Sequence, residues 1–224
     1  MSVAVIVPVY GNEATLPALA GRLEAALIDR RWRLRLVVDA SPDASLSVAR
    51  QLEAGDPRIA VTGLSRNVGQ HRALALGLAD EPGATAWACL DADLQDPPEA
   101  LPMLLDRLAV GDVDAVFAGR RGGYEGATRL VTGRLHRAAL ARLTGLPTDA
   151  GAYVVLSPGA RDAVLALRGP SVVAAIGIAG VPTASVPVDR GLRPVGPSAW
   201  TGAARLQQSA RTLIWAAARR SRAG

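Results

Sequence analysis

Runs of continuous apolar residues alternate with stretches that are apolar only every third or fourth position. Residues 3–8 (Val-Ala-Val-Ile-Val-Pro) are apolar throughout, the pattern of a parallel strand buried on both faces. Leu16, Leu19, Leu23 and Leu27 then recur at helical spacing. Residues 34–38 predict a second strand, a short helix starts near Ala44, and residues 59–64 predict a third strand. Leu74 and Leu78 mark the next helix, and residues 85–90 the fourth strand. Asp96, followed by Pro97, Pro98 and Glu99, has the form of a helix start, with Asp96 as the cap and the prolines in the first turn. Beyond it the pattern predicts a strand over 114–118, a Gly/Arg-rich loop over 119–126 and a helix over 130–143. A strand over 153–156 follows, then a helix opened by Ser157 and Pro158 that runs to about residue 167, and a late strand over 183–188. From residue 199 the chain reads as a basic amphipathic helix. Leu206, Ala210, Leu213 and Ala217 share one face, and Arg211, Trp215 and Arg219 the other.

Alternating strands and helices predict an α/β fold with a mostly parallel central sheet flanked by helices. The length fits one domain over 1–224, with a first half to residue 118, a second over 119–198 and the terminal helix over 199–224. The first ten residues lack the basic start and the cleavage site of a signal peptide. Residues 171–188 are too interrupted by Pro and Gly to span a membrane, which takes roughly 20 apolar residues. The chain has one cysteine, Cys89, in an apolar run; it reads as core packing in a protein of the reducing cytoplasm. The net charge is +5 and all 25 basic residues are arginine. They are scattered and aromatics are few, which argues against nucleic-acid binding.

Four polar segments follow predicted strands: residues 10–13 (Tyr-Gly-Asn-Glu), 39–43 (Asp-Ala-Ser-Pro-Asp), 65–69 (Ser-Arg-Asn-Val-Gly) and 91–95 (Asp-Ala-Asp-Leu-Gln). In a parallel sheet all four lie along one edge, where α/β proteins bind ligands. Asp43 and Asp96 sit where helix caps are wanted. Asp91 and Asp93 do not. At i, i+2 on an extended segment they face the same side, and their repulsion calls for a cation. With Gln95 they form a hard oxygen set suited to Mg²⁺ or Mn²⁺ held with a phosphate-bearing substrate. His71 and His136 have no ligand spacing and read as structural or rim residues.

These segments carry a resemblance. Residues 5–13 (Val-Ile-Val-Pro-Val-Tyr-Gly-Asn-Glu), 64–71 (Leu-Ser-Arg-Asn-Val-Gly-Gln-His) and 90–99 (Leu-Asp-Ala-Asp-Leu-Gln-Asp-Pro-Pro-Glu) resemble the family 2 glycosyltransferases of the GT-A fold. Within them the chain is most similar to the dolichol-phosphate mannose synthase and undecaprenyl-phosphate glycosyltransferase branch. Weaker matches are Gly119-Arg120, residues 149–157 and 193–198. The resemblance implies a metal-dependent inverting transfer of a sugar from a nucleoside-diphosphate sugar to a lipid-phosphate or small-molecule acceptor. It implies that Pro8, Tyr10 and Glu13 line the nucleoside pocket with Asp39 near the base. Asp91, Asp93 and Gln95 would hold metal and diphosphate, and Arg120, Arg129 and Arg193 would contact donor or acceptor phosphate. A phosphate acceptor needs no general base. For a hydroxyl acceptor, Asp149 is the candidate.

The chain departs from that family at several places. Where the family has Asp-Asp-Gly-Ser, Val38 replaces the first acid and Ala40 the glycine. Gly151-Ala152-Tyr153-Val154 stands where Gly-Asp-Phe-Arg is expected, and Ala199 replaces a basic residue. These losses fall mainly on the acceptor side and keep open a second reading, a non-catalytic nucleotide-sugar-binding protein with a degenerate acceptor site. A sugar nucleotidyltransferase is disfavoured by the missing Gly-rich loop and lysine. A dinucleotide oxidoreductase is disfavoured by the missing G-x-G-x-x-G. Many relatives append membrane helices, and none is expected within residues 1–224. The terminal helix of this chain, with Trp215 among arginines, is a candidate contact with an anionic membrane at its cytoplasmic face, or with a second copy.

Overall fold

The computed structural model describes the backbone of residues 1–121, 127–191 and 202–220, and the side chains of 1–119, 135–191 and 206–220. The strands are β1 (Ser2–Val9), β2 (Arg31–Asp39), β3 (Ile59–Leu64), β4 (Ala86–Cys89), β5 (Ala115–Arg121), β6 (Val154–Leu156) and β7 (Thr183–Asp189). The helices are α1 (Leu16–Ala26), α2 (Ser45–Gly55), α3 (Gln70–Asp80), α4 (Leu101–Ala109), α5 (Ala127–Thr144), α6 (Pro158–Leu167), α7 (Val172–Ala179) and α8 (Gly202–Arg220).

One seven-stranded sheet runs in the order β3-β2-β1-β4-β6-β5-β7. Only β6 is antiparallel to its neighbours, β4 and β5. The carboxyl ends of the other six strands and the start of β6 therefore share one edge. The order reverses between β1 and β4, and residues 91–95 leave the sheet at that switch point.

Period-two alternation divides the sheet residues between two cores. Val3, Val5, Val7 and Val9 of β1 pack with Leu34 and Leu36 of β2, Leu16, Leu19 and Leu23 of α1, and Leu101, Leu104 and Leu105 of α4. Ala4 and Ile6 face the other way with Val37, Trp87, Cys89 and Phe117, against α3, α6, α7 and Ala216 of α8. Cys89 is fully buried and its thiol is pushed up to about 12 by burial, then by Asp91, as its core reading requires. Helix α3 closes tightly on the sheet because residue 77 is glycine: a Cβ there would collide with Cγ2 of Ile6 and of Val37.

Several sequence expectations need correction. Asp96 caps no helix. Pro98–Ala100 form a single 3₁₀ turn without a side-chain cap, and α4 begins at Leu101. Strand β5 runs on through Gly119 to Arg121, where a loop is expected, because it pairs with β7 along its whole length. Helix α7 escapes the sequence pattern. Its residues are apolar all round, since Val172 to Ile176 are enclosed by other elements, so no amphipathic period shows. Ser157 caps α6 as expected, its Oγ accepting the N–H of Ala160 at 3.1 Å.

Helix α8 packs with a different face from the one its pattern suggests. Thr212 and Ala216 are buried against α5 and α7, and the half-buried Trp215 ring packs on Gly169. Leu206 (64% exposed) and Ile214 (70% exposed) instead face outward with Ala210 and Ala217. No single helix among the described residues is long and apolar enough to cross a membrane.

Candidate functional site

The residues following β1 and β2 form an interlocked pair of loops. Backbone N–H groups of Gly11 and Asn12 donate to the hydroxyls of Ser41 and Ser45 at 2.8 and 3.0 Å. Glu13 N–H donates to Asp43, and the Glu13 carboxylate accepts the N–H of Ala44 at 2.6 Å. Burial raises the Asp43 carboxyl. Hydrogen bonds from Ser41, Ser45 and Glu13 outweigh that and hold it below the usual range. Asp43 precedes the cap position, Ala44, yet still accepts the N–H of Ser45 at 3.1 Å. Pro8 is buried within β1, whose buried part runs to Val9, and Tyr10 opens to solvent beyond it.

Asp39 lies at the end of β2 but faces inward, 3% exposed. Its two carboxylate oxygens accept the N–H groups of Val68 and Gly69 at 2.7 and 2.8 Å. It thus ties down the loop from β3 into α3. Gly69 has φ +88°, and the turn there brings Gln70 to the start of α3. Gln70 Nε2 donates to Asp91 Oδ1 at 2.6 Å.

Residues 91–95 form a turn rather than extended chain, with Leu94 in the left-handed region at φ +62°. The same-side argument for Asp91 and Asp93 therefore fails, and the turn is what gathers the two carboxylates. Strain at a non-glycine residue persists only where surroundings over-determine it. Here Thr15 donates to Ala92 O at 2.7 Å, Gln95 N–H donates to Asp93 Oδ1 at 3.0 Å, and Gly191 N–H donates to Gln95 O at 2.9 Å. Asp93 is 8% and Asp96 2% exposed, while Asp91 is half-buried.

Among the described residues, the cation that meets this acidic turn is Arg190, just past β7, which sequence reasoning missed. Its Nε donates to Asp96 Oδ1 at 2.8 Å, and Nη2 lies 3.6 Å from Asp91 Oδ2. Asp96 Oδ2 in turn accepts the N–H of Asp91 at 3.3 Å. Burial would lower the guanidinium pKa, but Asp96, Asp91 and Asp93 together raise it. Tyr153, in the segment that departs from the family, donates its hydroxyl to Pro97 O at 2.8 Å and so braces the same turn. Burial, then Asp96 and Glu99, push that phenol well above its ordinary value.

Asp149 reaches the same edge just before β6. It accepts the Ser185 hydroxyl at 2.8 Å and lies so close to β5 that a Cβ at Gly119 would collide with its carboxylate. Of the positions where the chain departs from the family's pattern, Val38, Ala152 and Val154 are buried apolar residues, Ala40 is half-buried, and Ala199 lies outside the described residues. Of the expected arginines, Arg120 lies in β5 and Arg129 in α5, with their side chains outside the described residues; Arg193 lies wholly outside them. His71 and His136 each bury an Nδ1 that has no hydrogen-bond partner. His71 Nε2 is 3.5 Å from the Ser171 hydroxyl.

The donor set suits a hard divalent ion, because carboxylate and amide oxygens dominate it. Among the described residues, no three His, Cys, Asp or Glu side chains are grouped closely enough to hold an ion alone. The set therefore fits an ion shared with a ligand's own oxygens.

A sheet with its acidic turn at the switch point, fed by loops from β1, β2 and β3, defines the GT-A class of fold. Solved structures agree. Glucosyl-3-phosphoglycerate synthase from Mycobacterium tuberculosis, in complex with Mn²⁺, uridine diphosphate and phosphoglyceric acid, matches 98% of this chain and 78% of its own at TM-score 0.71 and 19% identity. The profile of glycosyl transferase family 2 matches residues 4–159, and the chain belongs to that family. Among curated proteins, an undecaprenyl-phosphate 4-deoxy-4-formamido-L-arabinose transferase of Pseudomonas aeruginosa is 40% identical over 148 residues, 64% of this chain and 43% of that protein. Its counterpart in Aeromonas hydrophila is 35% identical over 148 residues. The chain spans less than half the length of these relatives.

Proposed function

We propose that this chain transfers a sugar, with inversion, from a nucleoside-diphosphate sugar to an acceptor, with polyprenyl phosphate the favoured acceptor class. The observation that carries the reading is the largely buried acidic turn at the switch point, braced at once from the starts of α1 and α3, from Tyr153 just before β6 and from Arg190 just past β7. The family match and the undecaprenyl-phosphate relatives support the acceptor class.

Asp93, with Asp91 and Gln95, would hold Mg²⁺ or Mn²⁺. When bound, the ion offsets the negative charge that grows on the departing diphosphate. The loops of Tyr10–Glu13 and Ser41–Asp43 would flank the nucleoside, with Pro8 and the anchored Asp39 as their floor. Arg120, Arg129 and Arg193 would meet phosphate groups. An acceptor phosphate is anionic at neutral pH and attacks without a base. A hydroxyl acceptor would give up its proton to Asp149, which Ser185 holds in place. The outward stripe of Leu206, Ala210 and Ile214, beside Arg211, would rest on an anionic membrane at its cytoplasmic face. A binder without activity is the alternative; the apolar burial of Ala152 and Val154 on the acceptor side favours it.

Titration calorimetry with Mn²⁺ and UDP-, GDP- and dTDP-sugars tests the donor half; if none binds, the proposal is wrong. Binding without hydrolysis or transfer would select the alternative. Asp93→Ala should lower turnover by about a hundredfold or more, since it removes charge stabilisation at the leaving group. Undiminished turnover would overturn the role given to Asp93.

A further inference from the structure

The geometry points to Arg190 as a resident counter-cation that competes with a divalent ion for Asp91, so that an ion is taken up well only in company with a nucleoside diphosphate. This rests on the transferase reading above and adds a residue and an order of binding to it.

Arg190 comes from the far edge of the sheet and is held, not loose. Its side chain is 14% exposed, its Nε bonds Asp96 at 2.8 Å, and the next residue, Gly191, donates its N–H to Gln95 O at 2.9 Å. That strap lies across residues 91–95. Both oxygens of Asp91 face protein donors: Oδ1 takes Gln70 at 2.6 Å and Oδ2 faces Arg190 at 3.6 Å. A guanidinium does not lose its proton in a protein. Arg190 therefore remains a full positive charge beside the place where a dication would bind, and like charges at such distances repel strongly in a partly buried site. The repulsion falls when the ion arrives with a diphosphate, whose negative charge can meet both cations. Without Arg190 the clustered carboxylates would lose their compensating charge. The same side chain thus stabilises the ion-free turn and disfavours the ion alone. Arg190 is a positioning residue, acting through Asp91.

The test measures Mn²⁺ binding to the full chain without nucleotide, by titration calorimetry and by loss of the free-ion paramagnetic resonance signal. Arg190→Gln should bind Mn²⁺ at least about tenfold more tightly than the natural protein. Arg190→Lys, which keeps the charge, should stay within about threefold of it. Adding Asp91→Asn to Arg190→Gln should abolish the gain. Unchanged or weaker binding in a cooperatively melting Arg190→Gln protein overturns the assignment, as does a gain that survives Asp91→Asn. If Arg190→Gln does not fold, the Nε–Hε resonance of Arg190 in the natural protein, identified by its loss in Arg190→Lys, serves instead. It should shift on adding Mg²⁺ with UDP, and an unmoved signal on saturation overturns the proposal. Failure of all nucleotides to bind would sink the transferase reading and leave the Mn²⁺-alone comparison standing. Equal Mn²⁺ affinities would sink only the role of Arg190.

Discussion

Asp96 shows how one side chain can satisfy a local rule and serve a distant partner. Its sequence neighbours, two prolines and a glutamate, are those of a capped helix. Its carboxylate instead spans the N–H of Asp91 and the guanidinium of Arg190. Ala40 is another residue whose environment the sequence hints at, since the family carries glycine there. It sits at φ +49°, where a Cβ is strained. Left-handed geometry costs an L-residue about 1–2 kcal/mol, part of which the greater freedom of unfolded glycine offsets. Ala40→Gly should therefore stabilise the protein by about 0.5–1 kcal/mol, read as a higher urea midpoint at unchanged slope. His71 gives a pH dependence. Burial, helped by His136, lowers its pKa from 6.5 to about 4. The unfolded imidazole takes up its proton first as pH falls, so stability is full above pH 6.5 and drains away toward pH 4. The loss between pH 7 and 5 should be about 2 kcal/mol from this group. Denaturant titrations at the two pH values measure it, and His71→Gln should shrink the difference.

At the scale of elements, close approach matters more than propensity. Gly77 lets α3 lie on β1 and β2, and so sets the height at which Gln70 meets Asp91. Gly77→Ala should cost about 1–3 kcal/mol by overpacking, although alanine is the better helix former. A melting temperature equal to that of the natural protein would contradict this packing. Most strands and helices were legible in the apolar periods, though β2 starts three residues earlier and β5 ends three residues later than expected: β3 falls at the expected residues, and α1 carries Leu16, Leu19 and Leu23 inward. Helix α7 was not legible, because a helix enclosed on all sides has no polar face to reveal its period. The face of α8 was also misread. Ala216 and Thr212 are small enough to sit against α5 and α7, whereas the larger Leu206 and Ile214 are left outside.

Across the whole molecule, α8 is both a cover for the second core and the carrier of an exposed apolar stripe. Deleting it would uncover Ala216 and Trp215 contacts, so a truncated chain confounds membrane binding with stability. Leu206→Gln with Ile214→Gln separates them: the pair should melt like the natural protein yet sediment less with anionic vesicles. Equal sedimentation would end the membrane-surface proposal. The acidic turn and its neighbouring loops were the more legible part of the candidate site, because Asp91, Asp93 and Gln95 and the loops of Tyr10–Glu13 and Ser41–Asp43 each follow a strand in the chain itself. By itself the sequence determined the strands, the α/β class and these polar segments, since hydrophobic period and turn chemistry are local properties. Only the tertiary structure decided that Arg190, 94 residues from Asp96, brings its cation to the turn. The same holds for Tyr153 bracing Pro97 and for Asp149 wedging against Gly119. Those contacts depend on strand order and on the reversed direction of β6, which the packing of the whole sheet selects and no short stretch of chain encodes.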